Sequence, residues 1–196
     1  MAYFTLLLVL LGTIGGAISY EANAALPGEP LYVYKISVNE EIEKFVANTD
    51  ESRARWDLYT LTERLKEAQM LAQHDQLTAS AQTAVTSAVN MHIGNLTEII
   101  KRYQSAGHAP EAAATAVTLY ETLKTQERAI ADASLFGSTN VQLQLAPVLV
   151  KLRTSLATVA HLSTAAQANA AIGTPVADVV ITNNPRATTQ AVPSTR

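Results

Sequence analysis

The sequence predicts an all-α protein: an antiparallel bundle of about four long helices behind an N-terminal membrane or signal segment, with a disordered C-terminal tail. Three observations carry this expectation. Alanine, the strongest helix former, supplies 33 of the 196 residues. Four stretches between Asp50 and Gly173 repeat mainly apolar residues at spacings of three and four, the period of a helix face. The one strand-like stretch, VADVVIT near the C-terminus, has no partner strand elsewhere.

Composition narrows the function classes. Net charge is −3, so no basic footprint for nucleic acid is present. The chain has no cysteine, which removes disulfides, zinc–thiolate sites and a thiol nucleophile.

Residues 1–24 form the first unit. Ala2–Tyr20 are 19 uncharged residues, and a helix of that length spans roughly 28 Å, close to the bilayer core. Two readings stand. The segment is a single transmembrane anchor, or it is a signal peptide cut after Ala24 at the A-x-A pattern Ala22-Asn23-Ala24. Lys35 is the first basic side chain, so flanking charge does little to orient the span. Both readings place residues 25–196 outside the cytoplasm.

Residues 25–48 form the second unit. Pro27-Gly28 signals a turn. Leu31, Tyr32, Val33, Tyr34, Ile36 and Val38 make a short apolar stretch, and a brief helix over 39–47 follows. Glu40, Glu41 and Glu43 in its first turns suit the helix dipole.

Residues 49–172 hold the bundle. The first long helix starts at a Thr49 or Asp50 cap and runs to Gln73, with the seam Ala54, Leu58, Leu61, Leu65, Ala68 and Ala72. The second runs from about Thr78 to Ser105 and stops near Gly107, with the stripe Val85, Val89, His92, Leu96, Ile99 and Tyr103. The third opens at Pro110 and ends near Gly137, its stripe running from Ala112 through Leu119, Leu123 and Gln126 to Ala133. The fourth begins at a Ser138 or Thr139 cap and fades near Gly173, with Val141, Leu145, Val148, Leu152, Leu156, Val159, Leu162 and Ala166 facing inward. Pro147 in its early turns predicts a kink or a late start. Residues 173–196 are rich in proline and threonine and read as a disordered tail.

The opening Leu26-Pro27-Gly28-Glu29-Pro30-Leu31-Tyr32 with Lys35 resembles the L-P-G-x-x-L-Y-x-x-K start of the domain-of-unknown-function family 5667. Val38-Asn39-Glu40 continues the likeness, as does Leu61 to Leu71, which is similar to the family's A-x-x-R-L-x-E-A-x-x-L helix. Val33 departs from it where the family often has proline, and Ala, Thr and Gln replace the family's later Glu and Arg. The resemblance implies a bacterial extracytoplasmic helical domain and no known reaction.

No constellation for catalysis emerges. His74, His92, His108 and His161 lack metal-ligand spacing, and His92, on an apolar stripe, reads as a core histidine. Glu63 and Glu67 share a face at i, i+4; with Arg64 and Lys66 beside them they read as a solvated charged face rather than an acid/base or cation pair. No nucleophile elbow or phosphate loop is present. Tyr32, Tyr34, Trp56 and Tyr59 form an aromatic concentration, read as packing of the Leu-Pro-Gly segment on the first long helix, with a ligand or peptide groove as the alternative. The expected docking residues are thus Leu26, Pro27, Gly28, Leu31, Tyr32, Lys35, Trp56 and Tyr59.

The expectation for function is an exported, membrane-anchored bundle acting without catalysis as a binding or structural module of the cell envelope. It uses no cofactor, no metal and no nucleic acid, and its partners are the membrane and an envelope protein. The alternative is an extracytoplasmic sensor or regulatory domain responding to a ligand, a cation or envelope stress.

Overall fold

A computed structural model of the chain describes residues 19–27 and 29–173. Most of the expected membrane or signal segment, Gly28 of the Leu-Pro-Gly motif and the expected tail beyond Gly173 lie outside the described residues.

Among the described residues the fold is all-helical, with no strand. A first helical segment comprises a short α1 (Tyr32–Tyr34), a π-helical turn (Lys35–Glu40) and α2 (Glu41–Val46). Four long helices follow: α3 (Asp50–Gln73), α4 (Ala79–Ser105), α5 (Ala109–Phe136) and α6 (Thr139–Gly173). The first segment corrects the sequence expectation, because helix starts at Tyr32 rather than at Asn39. Tyr, Val and Ile are poor helix formers, and contacts to α3 described below override that propensity.

Local chemistry sets the long helices' ends. Thr49 and Ser52 form a reciprocal capping box at the start of α3, and Asp50 and Glu51 fill its first turn. After α3, Asp75 takes a left-handed φ of 57°, a conformation that Asp tolerates better than most residues. Thr78 caps α4 through Ala81 N–H. A Schellman closure ends α4: His108 N–H donates to Tyr103 O, Gly107 N–H donates to Gln104 O, and Gly107 has φ of 79°. At Gly137, between α5 and α6, the issue is space. A Cβ there would lie 2.7 Å from both Ala133 O and Val141 Cγ1.

α3 runs antiparallel to α4, and α5 to α6. Arg102 near the end of α4 binds Asp50 at the start of α3, and further along the pair Asn95 and His92 reach Asp57. Across α5 and α6, Glu127 binds Arg153 while Gly137 abuts Val141. The core is built from the expected stripes: Leu61, Leu65, Leu96, Ile99, Leu119, Leu123, Leu145 and Leu152 are all essentially excluded from water. Gln126 is half-buried at the edge of the α5 stripe.

α6 runs unbroken from Thr139 through Pro147. Pro147 lies on an exposed face with Leu143, so the carbonyl that loses its helical donor faces solvent. Among the described residues, Thr139–Ile172 is the one helix long and apolar enough to cross a membrane by length and composition. It lies near the C-terminus rather than in the N-terminal segment, and its Val141, Leu145, Val148, Leu152 and Val159 are buried in the core.

Candidate functional site

α3 carries two buried faces. One is the apolar seam of Ala54, Leu61, Leu65, Ala68 and Ala72. The other, at the same helical spacing, holds Asp57, Thr60, Arg64 and Glu67 beside Leu71. Its Arg64 and Glu67 receive the first helical segment, which corrects the reading of a solvated charged surface. Glu67 is only 1% exposed and Arg64 6%; of the expected charged face, Glu63 and Lys66 alone pair near solvent, at 2.9 Å.

Four charges and a phenol meet there. Lys35 Nζ donates to Glu67 Oε1 at 2.6 Å. Arg64 donates to the second Glu67 oxygen through Nη1 and to Glu40 through Nη2. Tyr32 O–H accepts from Arg64 Nη1 at 3.0 Å and donates to Glu67 Oε2 at 3.3 Å. Two cations face two anions, so formal charge cancels, and buried charge persists only when so paired and hydrogen-bonded. Burial, then the neighbouring Glu67 carboxylate, pushes the Tyr32 phenol well above its ordinary range. Burial disfavours the charged Arg64, but Glu67 and Glu40 outweigh it and hold the guanidinium protonated.

The π-helical turn supplies Lys35, Asn39 and Glu40. Its Lys35 and Asn39 are buried, while Glu40 is half-buried. Asn39 faces the preceding chain. Its Nδ2 donates to Ser19 O at 2.9 Å and Asn23 Oδ1 at 2.7 Å, and its Oδ1 accepts from Ser19 Oγ at 2.7 Å. Residues 19–24 are helical, and Ala22 is fully buried. A continuous chain of contacts therefore links Ser19 to α3.

A second polar cluster lies nearer the start of α3. Asp57 Oδ1 accepts from His92 Nδ1 at 2.7 Å and Asn95 Nδ2 at 3.0 Å. The Trp56 indole meets the His92 ring edge-on at 5.5 Å between centroids. Its Nε1–H is buried without a hydrogen-bond partner, the one such side-chain atom among the described residues. His92 is 1% exposed, and Asp57 orients this core histidine. Among the described residues no group of His, Asp and Glu is arranged to hold a metal ion.

The structure brings some expected docking residues together and separates others. Pro27, Tyr32 and Trp56 line one groove of about 340 Å³, floored by Ala81, Val85 and Met91 of α4. Lys35 is buried on Glu67, and Leu26 packs partly buried against the core. Leu31 stays 37% exposed and Tyr59 58% exposed, so neither joins a buried cluster with Trp56. Glu40, Arg64, Glu67 and Asn39 were not among the expected site residues. The visible signal for two of them, Arg64 and Glu67, is spacing: Asp57, Thr60, Arg64 and Glu67 fall at intervals of three, four and three along the helix.

No protein-family model, no curated protein and no solved structure matches the chain.

Proposed function

We propose that this chain is an exported, membrane-anchored module of the cell envelope that acts without catalysis. In this reading the four antiparallel helices follow an uncleaved N-terminal span, and the bundle is presented at a fixed distance from the outer membrane surface for an envelope protein to bind. The likeness of Leu26 to Lys35 to family 5667 supports the extracytoplasmic placement.

One observation carries the reading. Asn39 spends its side-chain amide on Ser19 and Asn23, residues that cleavage after Ala24 removes. Cleavage would remove those partners and open Asn39 to water, at a net cost of about 0.5–1.5 kcal/mol for each hydrogen bond lost. The same segment passes through Lys35, Tyr32 and Glu40 into the buried charge cluster on α3. Such a fastening suits an anchor that must position a bundle; a flexible tether would not need it.

Two measurements on the full chain in cells test this reading. The intact mass of the envelope-associated protein should include residues 2–24, and a mass beginning at Ala25 contradicts the anchor. Because the chain has no cysteine, a single Thr118→Cys variant reports sidedness. A membrane-impermeant maleimide should label it in intact cells, and labelling only after lysis contradicts export.

A further inference from the structure

A cavity of about 370 Å³ lies between the end of α2, the first turns of α3 and the last turns of α4. Its volume falls within the range of small-ligand sites. Trp56, Ile99 and Ala47 supply apolar wall, and Arg53, Lys44 and Arg102 bring positive charge. We propose that this cavity binds a small amphipathic carboxylate, with its apolar body against Trp56 and Ile99 and its carboxylate on Arg53. This proposal is independent of where the protein resides.

Several polar groups around the cavity are already satisfied. Arg102 is held by Asp50, with Nη2 at 2.7 Å and Nε at 3.0 Å. Glu98 at the rim is paired with Lys101 at 2.7 Å. Asp57 at the wall already accepts from His92 and Asn95. Arg53 differs from all of these. Its Nε donates to Ala47 O at 3.1 Å, and its two terminal nitrogens have no hydrogen-bond partner among the described residues. Lys44 is engaged only by exposed Glu41, at 3.3 Å. Lys44, Arg53 and Arg102 thus outnumber the carboxylates Asp57 and Glu98 around an apolar wall.

A planar guanidinium with free terminal nitrogens matches a carboxylate through two parallel hydrogen bonds. A cationic ligand would meet three cationic side chains. Inorganic phosphate has no apolar body to cover Trp56 and Ile99, whereas a carboxylate that carries one suits both the charge and the wall.

Trp56 is the only tryptophan; it also lines the neighbouring groove, so Arg53→Gln, which touches this cavity and not that groove, assigns the tryptophan signal. The test titrates the full chain in nonionic detergent with 3-phenylpropanoate, its neutral amide, 3-phenylpropylamine and inorganic phosphate. The carboxylate should give a saturable change with Kd below about 1 mM, and the other three should bind at least about 10-fold more weakly. Arg53→Gln should weaken carboxylate binding by about 10-fold or more without changing helicity, whereas Arg128→Gln on α5 should leave it unchanged. Lys44→Met, which leaves the Arg53–Ala47 bond in place, should also weaken binding and serves if Arg53→Gln misfolds. Equal saturation by the amide, the amine or phosphate overturns the proposal. So does a linear response to every probe, or full affinity in either folded variant.

Discussion

The ammonium of Lys35 sits 2.6 Å from a carboxylate oxygen of Glu67, 32 residues further along the chain, with both side chains almost wholly out of water. This pair ties a segment that begins next to the N-terminal apolar stretch to the middle of the first long helix. Glu67 is also the acceptor for Arg64 and Tyr32, so three donors depend on one side chain.

Glu67→Gln should therefore be far more damaging than Glu63→Gln. Removing one partner from a buried ionic cluster costs about 3–5 kcal/mol. Glu63 pairs with a Lys66 whose side chain is 55% exposed, and a pair of that kind contributes less than about 1 kcal/mol. Urea unfolding of both variants checks this, and equal midpoints would contradict the buried cluster.

Tyr32 gives the cluster a pH dependence. Its phenol is raised above the ordinary 10.0, first by burial and then by Glu67. A phenol that ionises less readily in the folded chain stabilises the fold fully below its unfolded pKa. That contribution is lost as pH rises above it. From about pH 9 to about pH 11 the parent protein should lose more stability than Tyr32→Phe, which has no phenol to ionise at that position. Parallel melting curves across that range would show that Tyr32 is not held in the cluster.

Leu65→Asp should destabilise the bundle by several kcal/mol, because it buries an unpaired carboxylate at a position with 0% exposure. Lys66→Asp, one residue on and largely exposed, should cost little. Thermal melts that shift equally would mean that the helix is rotated from the register described.

Two glycines should respond in opposite directions to alanine. Gly94 lies inside α4 with nothing within 4 Å of an added Cβ, so Gly94→Ala should stabilise by about 0.5–1 kcal/mol. At Gly137 the added Cβ collides with Ala133 O and Val141, and overpacking of that kind costs about 1–3 kcal/mol. Calorimetry on the two variants distinguishes them by sign.

The four long helices were legible because apolar residues at spacings of three and four require only a local count, and caps such as Thr49 and Thr78 are local too. The second face of α3 was not. Asp57, Arg64 and Glu67 look like solvent residues until distant partners are supplied, and Glu40 and Lys35 lie 24 and 32 residues from theirs. Charge in a sequence shows no burial when its counter-charge comes from another element. The helix from Tyr32 was hidden for a related reason. Its aromatic and β-branched residues favour extended chain, and only docking on α3 explains the helical choice. The aromatic concentration was visible as a set, but Trp56 turned toward His92 and Tyr59 toward solvent.

The central claim is that the segment between the N-terminal apolar stretch and α3 is fastened into the bundle by buried charge. Native-state hydrogen exchange of the full chain tests it most directly. The amides of Lys35–Glu40 should be protected in the parent protein, and Glu67→Gln should abolish that protection while the amides of α5 and α6 stay protected. Exchange of Lys35–Glu40 at the rate of an unstructured peptide in the parent protein, beside a protected α3, would contradict the account.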